Sequence, residues 1–134
     1  MKETLSPNTF RDEAGKKNFA PDRKRFQERL NPLLPLIALD ARSTIRHLTP
    51  TALNLLEYRT ETPLGTSFFS HIHPGNLYPV MRDVADMVCY GKEKAAWMLR
   101  LRTGRQTWNW YRVHALNLLD TPEEIILLNL RELT

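Results

Sequence analysis

Apolar positions along the chain change period twice, and those changes divide it into elements. From Asp22, DRKRFQERL places Phe26 and Leu30 four residues apart, with Leu33 and Leu34 continuing the stripe. That spacing predicts an amphipathic helix over 22–34, although Pro32 and Pro35 make its continuation costly. Leu36 to Leu39 is a short apolar run, and Thr44 to Leu48 alternates apolar and polar residues across the turn Asp40-Ala41-Arg42-Ser43, which reads as strand, turn, strand. Thr49-Pro50 opens a helix, Thr49 as its cap and Pro50 in the first position, with Ala52, Leu53, Leu55 and Leu56 as its inner side. Pro63, Gly65 and several threonines predict irregular backbone, with one short turn near Phe68 and Phe69.

Beyond the break at His73-Pro74-Gly75 comes the strongest helical pattern, with Leu77, Val80, Met81, Val84, Ala85 and Val88 at spacings of three, four and seven. Arg82, Asp83 and Asp86 fall opposite, and Gly91 is placed to end the helix in a left-handed conformation. The last third alternates with period 2. Ala95 to Arg102 and Thr107 to Leu119 are strands joined by Thr103-Gly104-Arg105-Gln106, and Ile125 to Arg131 is a third strand after Asp120-Thr121-Pro122-Glu123. The fold class is therefore α+β: a five-stranded antiparallel sheet with short helices on one face and an amphipathic helix before it.

These pieces resemble those of PAS domains in their order and in their local sequences. Leu36-Ile37-Ala38-Leu39-Asp40 with Ile45 looks like the family's opening hairpin, and Ala52 to Tyr58 like its first core helix. Pro63-Leu64-Gly65-Thr66-Ser67 followed by Ile72-His73-Pro74 is similar to the family's "L-G-x-S … I-H-P" stretch. Leu99 to Gly104 with Trp108-Asn109-Trp110 resembles its meander, and Arg131-Glu132-Leu133-Thr134 its terminal "R-D-I-T". Gly75-Asn76 and Glu132 depart from the acidic residues usual at those places. The resemblance covers residues 33–134 and implies a sensory module that binds a small molecule or a protein, dimerises, and relays a signal to a kinase, cyclase or transcription regulator outside this chain. Residues 1–21 are polar, lack apolar periodicity and contain Pro7, Gly15 and Pro21, so they read as a flexible leader; the flanking helix follows over 22–34 and the PAS domain over 35–134.

Composition limits the alternatives. Of 134 residues, 42% are hydrophobic and 25% charged, as in ordinary globular proteins. No apolar run approaches the roughly 18 to 20 residues that span a bilayer, and Leu33 to Leu39 is interrupted by Pro35. The start of the chain lacks the apolar stretch of a secretory signal, and the single Cys89 has no internal partner, so a reducing cytoplasm is expected. The net charge of +4 is concentrated in residues 1–31, which hold eight Lys/Arg against five Asp/Glu. The remainder, eleven against ten, offers little phosphate track, which argues against nucleic-acid binding. A single-stranded adaptor using Trp108 and Trp110 for stacking is the competing version.

Chemistry-bearing residues are few. His71 and His73 have the spacing of two metal ligands without an evident third, and no pattern places a base beside a nucleophile, so neither a metal site nor a catalytic set is expected. A small enzyme using His71, His73 or Asp83 is the alternative. What the resemblance implies about cofactors is negative: residues 76–90 lack the histidine that haem-binding members use, and the cysteine motif of photoactive flavin members is absent, leaving the cofactor open and Cys89 as a small buried apolar residue.

Strand alternation divides the sheet. Trp97, Leu99, Leu101, Asn109, Tyr111, Val113, Ile126, Leu128 and Leu130 form an inner face. Trp97, Leu99, Asn109, Tyr111, Leu128 and Leu130 are its pocket candidates, Asn109 and Tyr111 being polar groups that need partners from a ligand, water or the protein itself. Met98, Trp108, Trp110, Leu116, Leu118, Ile125 and Leu127 lie on the other face beside Arg100, Arg102, Arg112 and His114. That is too much apolar surface for water, so Trp108 and Trp110, with Phe26, Leu30 and Leu33 of the flanking helix, are interface candidates, covered within the chain or across a homodimer.

Overall fold

A computed structural model describes residues 29–133. The elements are β1 (Leu36–Leu39), β2 (Ile45–Leu48), α1 (Pro50–Leu55), a single 3-10 turn (Phe68–His71), α2 (Pro74–Tyr90), β3 (Lys94–Arg102), β4 (Trp108–Leu118) and β5 (Ile125–Glu132). All neighbours are antiparallel, and the sheet order is β2-β1-β5-β4-β3. The α+β expectation holds, and strand ends fall within one or two residues of their predicted places.

Local chemistry explains the turns. Asp40 Oδ1 accepts the amides of Arg42 (2.8 Å) and Thr44 (3.0 Å), and its Oδ2 accepts Arg46 Nε at 2.8 Å, which closes the β1–β2 hairpin. Burial alone would raise the Asp40 pKa, but those two amides and the Arg46 guanidinium outweigh it and hold the carboxyl below its ordinary value. Thr49 caps α1 by accepting the Ala52 amide, with Pro50 next in line. Gly91 ends α2 at φ 72°.

Helices, 3-10 turn and sheet share one core, in which Phe68, Val80, Met87, Leu99, Tyr111 and Leu128 are almost fully buried. The His73-Pro74 step is the entry to α2, where His73 Nδ1 accepts the Gly75 amide as a cap. Two expectations need correction. The buried stripe of α2 is Val80, Val84 and Met87, while Met81, Ala85 and Val88 face outward, because the helix carries apolar residues on two sides and only one meets the sheet. Cys89 is exposed rather than buried, near the end of that outer side.

The flanking helix does not run to residue 34. Arg29 is helical, but the chain bends at Leu30 and turns at 32–33, with the Leu34 amide donating to Asn31 O, as Pro32 and Pro35 dictate. Leu30 is buried and Leu33 is 80% exposed; Phe26 and the leader lie outside the described residues.

Candidate functional site

The two faces of the sheet are distinct environments. On the inner face Leu99, Leu128 and Leu130 are buried core, and the polar groups there find protein partners. Trp97 Nε1 donates to Asp83 Oδ2 of α2 at 2.8 Å, and Lys92 Nζ stands 3.6 Å from the other carboxylate oxygen. The Tyr111 hydroxyl donates to the Leu55 carbonyl at 3.2 Å, which ties β4 to the end of α1, and Asn109 Nδ2 reaches Glu132 Oε2 at 3.5 Å. Between Ile37, Ile45, Phe68, Leu101 and His71 lies a cavity of about 10 Å³, room for about one water molecule. None of the six residues expected to line a pocket borders it.

His71 Nε2 and Thr66 Oγ1 are 2.8 Å apart. Burial, and then the charge of Arg102, lower the His71 pKa from its ordinary 6.5. The sign follows: below pH 6.5 the unfolded chain takes up this proton before the folded one does, so stability falls as pH drops through that window. Urea titrations should show this loss in the native sequence and a smaller one in His71→Gln; equal losses would remove His71 as its source. His73, its sequence neighbour in the paired spacing, faces elsewhere, with its ring edge-on to Trp108 at 4.9 Å between centroids. Among the described residues no group of three or more His, Cys, Asp or Glu could hold a metal.

On the outer face, cross-strand register sets Arg100 against Trp110 and Arg102 against Trp108. Each guanidinium lies over its tryptophan, with Arg100 Cζ 4.8 Å and Arg102 Cζ 5.4 Å from the ring centroids, within cation–π range. Trp108 and Trp110 remain 40% and 42% exposed, alongside Met98 and Leu116. By contrast Ile125 is buried, and Leu118 and Leu127 are half-buried, so the exposed apolar area is concentrated on β3 and β4. Sequence reasoning passed over Asn76, whose Oδ1 accepts both the Arg100 amide (2.9 Å) and Nε (3.0 Å) and so pins this arginine to the start of α2. Its only sequence signal was that it stands where the resembling family has an acid.

No family model matches the sequence, and no curated protein matches it. Solved structures do. The PAS domain of a Colwellia psychrerythraea protein aligns at a TM-score of 0.64 and 14% identity, covering 87% of this chain and 98% of that one. For Drosophila melanogaster Cycle PAS-B with bound ethylene glycol the values are 0.62, 17%, 75% and 100%. For the PAS domain of an HTR-like protein from Haloarcula marismortui they are 0.61, 18%, 85% and 99%.

This is a PAS fold.

At these identities the shared property is the architecture, so the ligand and the partner must be argued from this chain's own surfaces. The PAS sheet separates them cleanly: a closed inner face against the helices, and an outer face whose β3–β4 half is aromatic and cationic. Among the described residues no helix is long and apolar enough to cross a membrane.

Proposed function

We propose that this chain is a non-catalytic sensory module that signals by association, docking a protein on the outer face of its PAS sheet and passing the signal to an effector outside the chain. One observation carries this reading: Trp108 and Trp110 stand exposed with Met98 on that face, in the Trp-and-Arg composition that marks interface anchors. The inner face favours it too, since Trp97, Asn109 and Tyr111 spend their hydrogen-bonding groups on the protein. Drosophila Cycle PAS-B holds ethylene glycol; in this chain a small-molecule signal would have to open a core that is now packed. A homodimer is the second reading, favoured by the same exposed tryptophans. A reducing, cytoplasmic setting belongs to the proposal, as the lone Cys89 thiol is exposed and unpaired.

Site-specific photo-crosslinking in the cell of origin tests it. Met98→p-benzoylphenylalanine is expected to give discrete protein adducts, whereas the same substitution at exposed Thr62, away from the sheet's outer face, gives none. Adducts of twice the chain's mass would mark the homodimer. No adduct at 98, or the same adducts at both positions, would end the docking reading.

A further inference from the structure

Charge on the outer face specifies the partner's chemistry. The outward positions of β3, β4 and β5 include Lys94, Arg100, Arg102, Arg112 and Arg131 and no Asp or Glu. Among the described residues the ion pairs are Arg29 with Glu123, Arg46 with Asp40 and Lys92 with Asp83, none of which involves these five. Arg112 sits directly across the β4–β5 ladder from Arg131, and like charges opposed in this way weaken a sheet. Moreover, Arg112 Nε is buried without a hydrogen-bond acceptor, and the group's other contact is Met98 Sδ at 3.7 Å. A cationic face with no carboxylate among its own outward positions, interleaved with exposed aromatic area, is only half of an interface.

We propose that the outer face takes an acidic amphipathic segment of a partner protein, its apolar side chains against Trp108, Trp110 and Met98 and its carboxylates on the guanidinium forks of Arg100, Arg102 and Arg131. This rests on the docking reading above and names the partner that fits it. Planar guanidinium groups already held over tryptophan rings are pre-organised for carboxylates. Three other occupants fit less well. A second copy, docked symmetrically through this patch, sets cations against cations. The chain's own first 31 residues carry more Lys/Arg than Asp/Glu, so they bring the wrong sign. Single-stranded nucleic acid needs an open ring face to stack on, and the arginine over each tryptophan takes that face, whereas aliphatic side chains can pack on the ring area that stays exposed.

Fluorescently labelled probes titrated with the full chain test the assignment: a helical peptide of Leu and Glu, the same peptide with Gln for Glu, and an oligothymidylate. The acidic peptide is expected to bind about tenfold or more tighter than the Gln peptide, and to weaken as salt rises. Arg102→Gln should weaken it by a similar factor. Arg131→Gln should weaken it as well while leaving thermal stability equal or higher, because it relieves the pairing with Arg112; a purely structural role for Arg131 predicts neither. Equal binding of both peptides would overturn the charge assignment and leave the docking reading standing. Tighter binding of the oligothymidylate would overturn both in favour of nucleic acid. A dimer, seen by sedimentation, that shields the tryptophans and excludes the peptide would give the face to a second copy. No binding by any probe overturns the acidic-partner assignment, and the crosslinking at residue 98 then decides independently whether docking itself fails.

Discussion

Gly104→Ala is expected to destabilise the protein by about 3 kcal/mol, at the upper end of what overpacking costs. Gly104 lies just beyond β3, where its amide donates to the Leu56 carbonyl at 2.8 Å and the loop rests on the end of α1. A Cβ at this position would stand 2.4 Å from Glu57 O and 2.9 Å from both Glu57 C and Tyr58 Cα. All three are backbone atoms, so no side-chain rotation relieves the clash. In a thermal melt followed by circular dichroism the midpoint should fall by about 15 °C for that loss in a domain of this size. Gly65→Ala is the control: it has a φ of +86° but nothing within 4 Å, so it carries only the left-handed backbone cost of about 1–2 kcal/mol. If the two variants melt together, the close approach of the loop to α1 is wrong. The loop also joins Arg102 to Trp108, so an intermediate outcome, a folded but loosened protein, should weaken outer-face binding as well.

Alkaline unfolding should expose the second large effect, which belongs to Tyr111. Burial pushes its phenol up from 10 to about 12, and Tyr58 is raised in the same direction, also by burial. Between these two values the unfolded chain gives up the Tyr111 proton while the folded chain keeps it. Stability therefore falls with rising pH across that window, by about 3 kcal/mol for a shift of this size. Tyr111→Phe should cost about 1 kcal/mol at neutral pH, through the lost hydrogen bond to the Leu55 carbonyl, and should flatten the alkaline decline. Urea titrations at pH 8, 10 and 11.5 measure both. Parallel curves for the two proteins would mean that Tyr111 ionises in the folded state as freely as in the unfolded one.

Much of the fold was legible because its signals are local. Thr49-Pro50 is a cap followed by a residue with no amide to lose, and Gly91 accepts the left-handed turn that ends α2. Alternation in β3 and β4 could be read because one face of an antiparallel sheet meets the core and the other does not. It placed Trp97, Leu99 and Tyr111 inside and Trp108 and Trp110 outside, as the structure has them. The reading was poorest where more than one face was apolar. On α2 periodicity favoured Met81 and Val88, whereas the sheet took Met87 and left both of them, with Cys89, in solvent. Nor could alternation tell that Asn109 and Tyr111 would find their partners in Glu132 and Leu55, since those contacts span 23 and 56 residues.

From β1 onward, residue order alone determined the kind and order of the elements, the caps that bound them and which side of each late strand is apolar, because these depend on neighbours within a turn or two of chain. Tertiary structure alone decided that β5 inserts between β1 and β4. The register of the β4–β5 ladder, likewise, sets Arg131 opposite Arg112 and brings basic residues that are separate in sequence together on one face. Strand order is chosen by hydrogen bonding and burial between distant segments, to which the period of any one segment is blind.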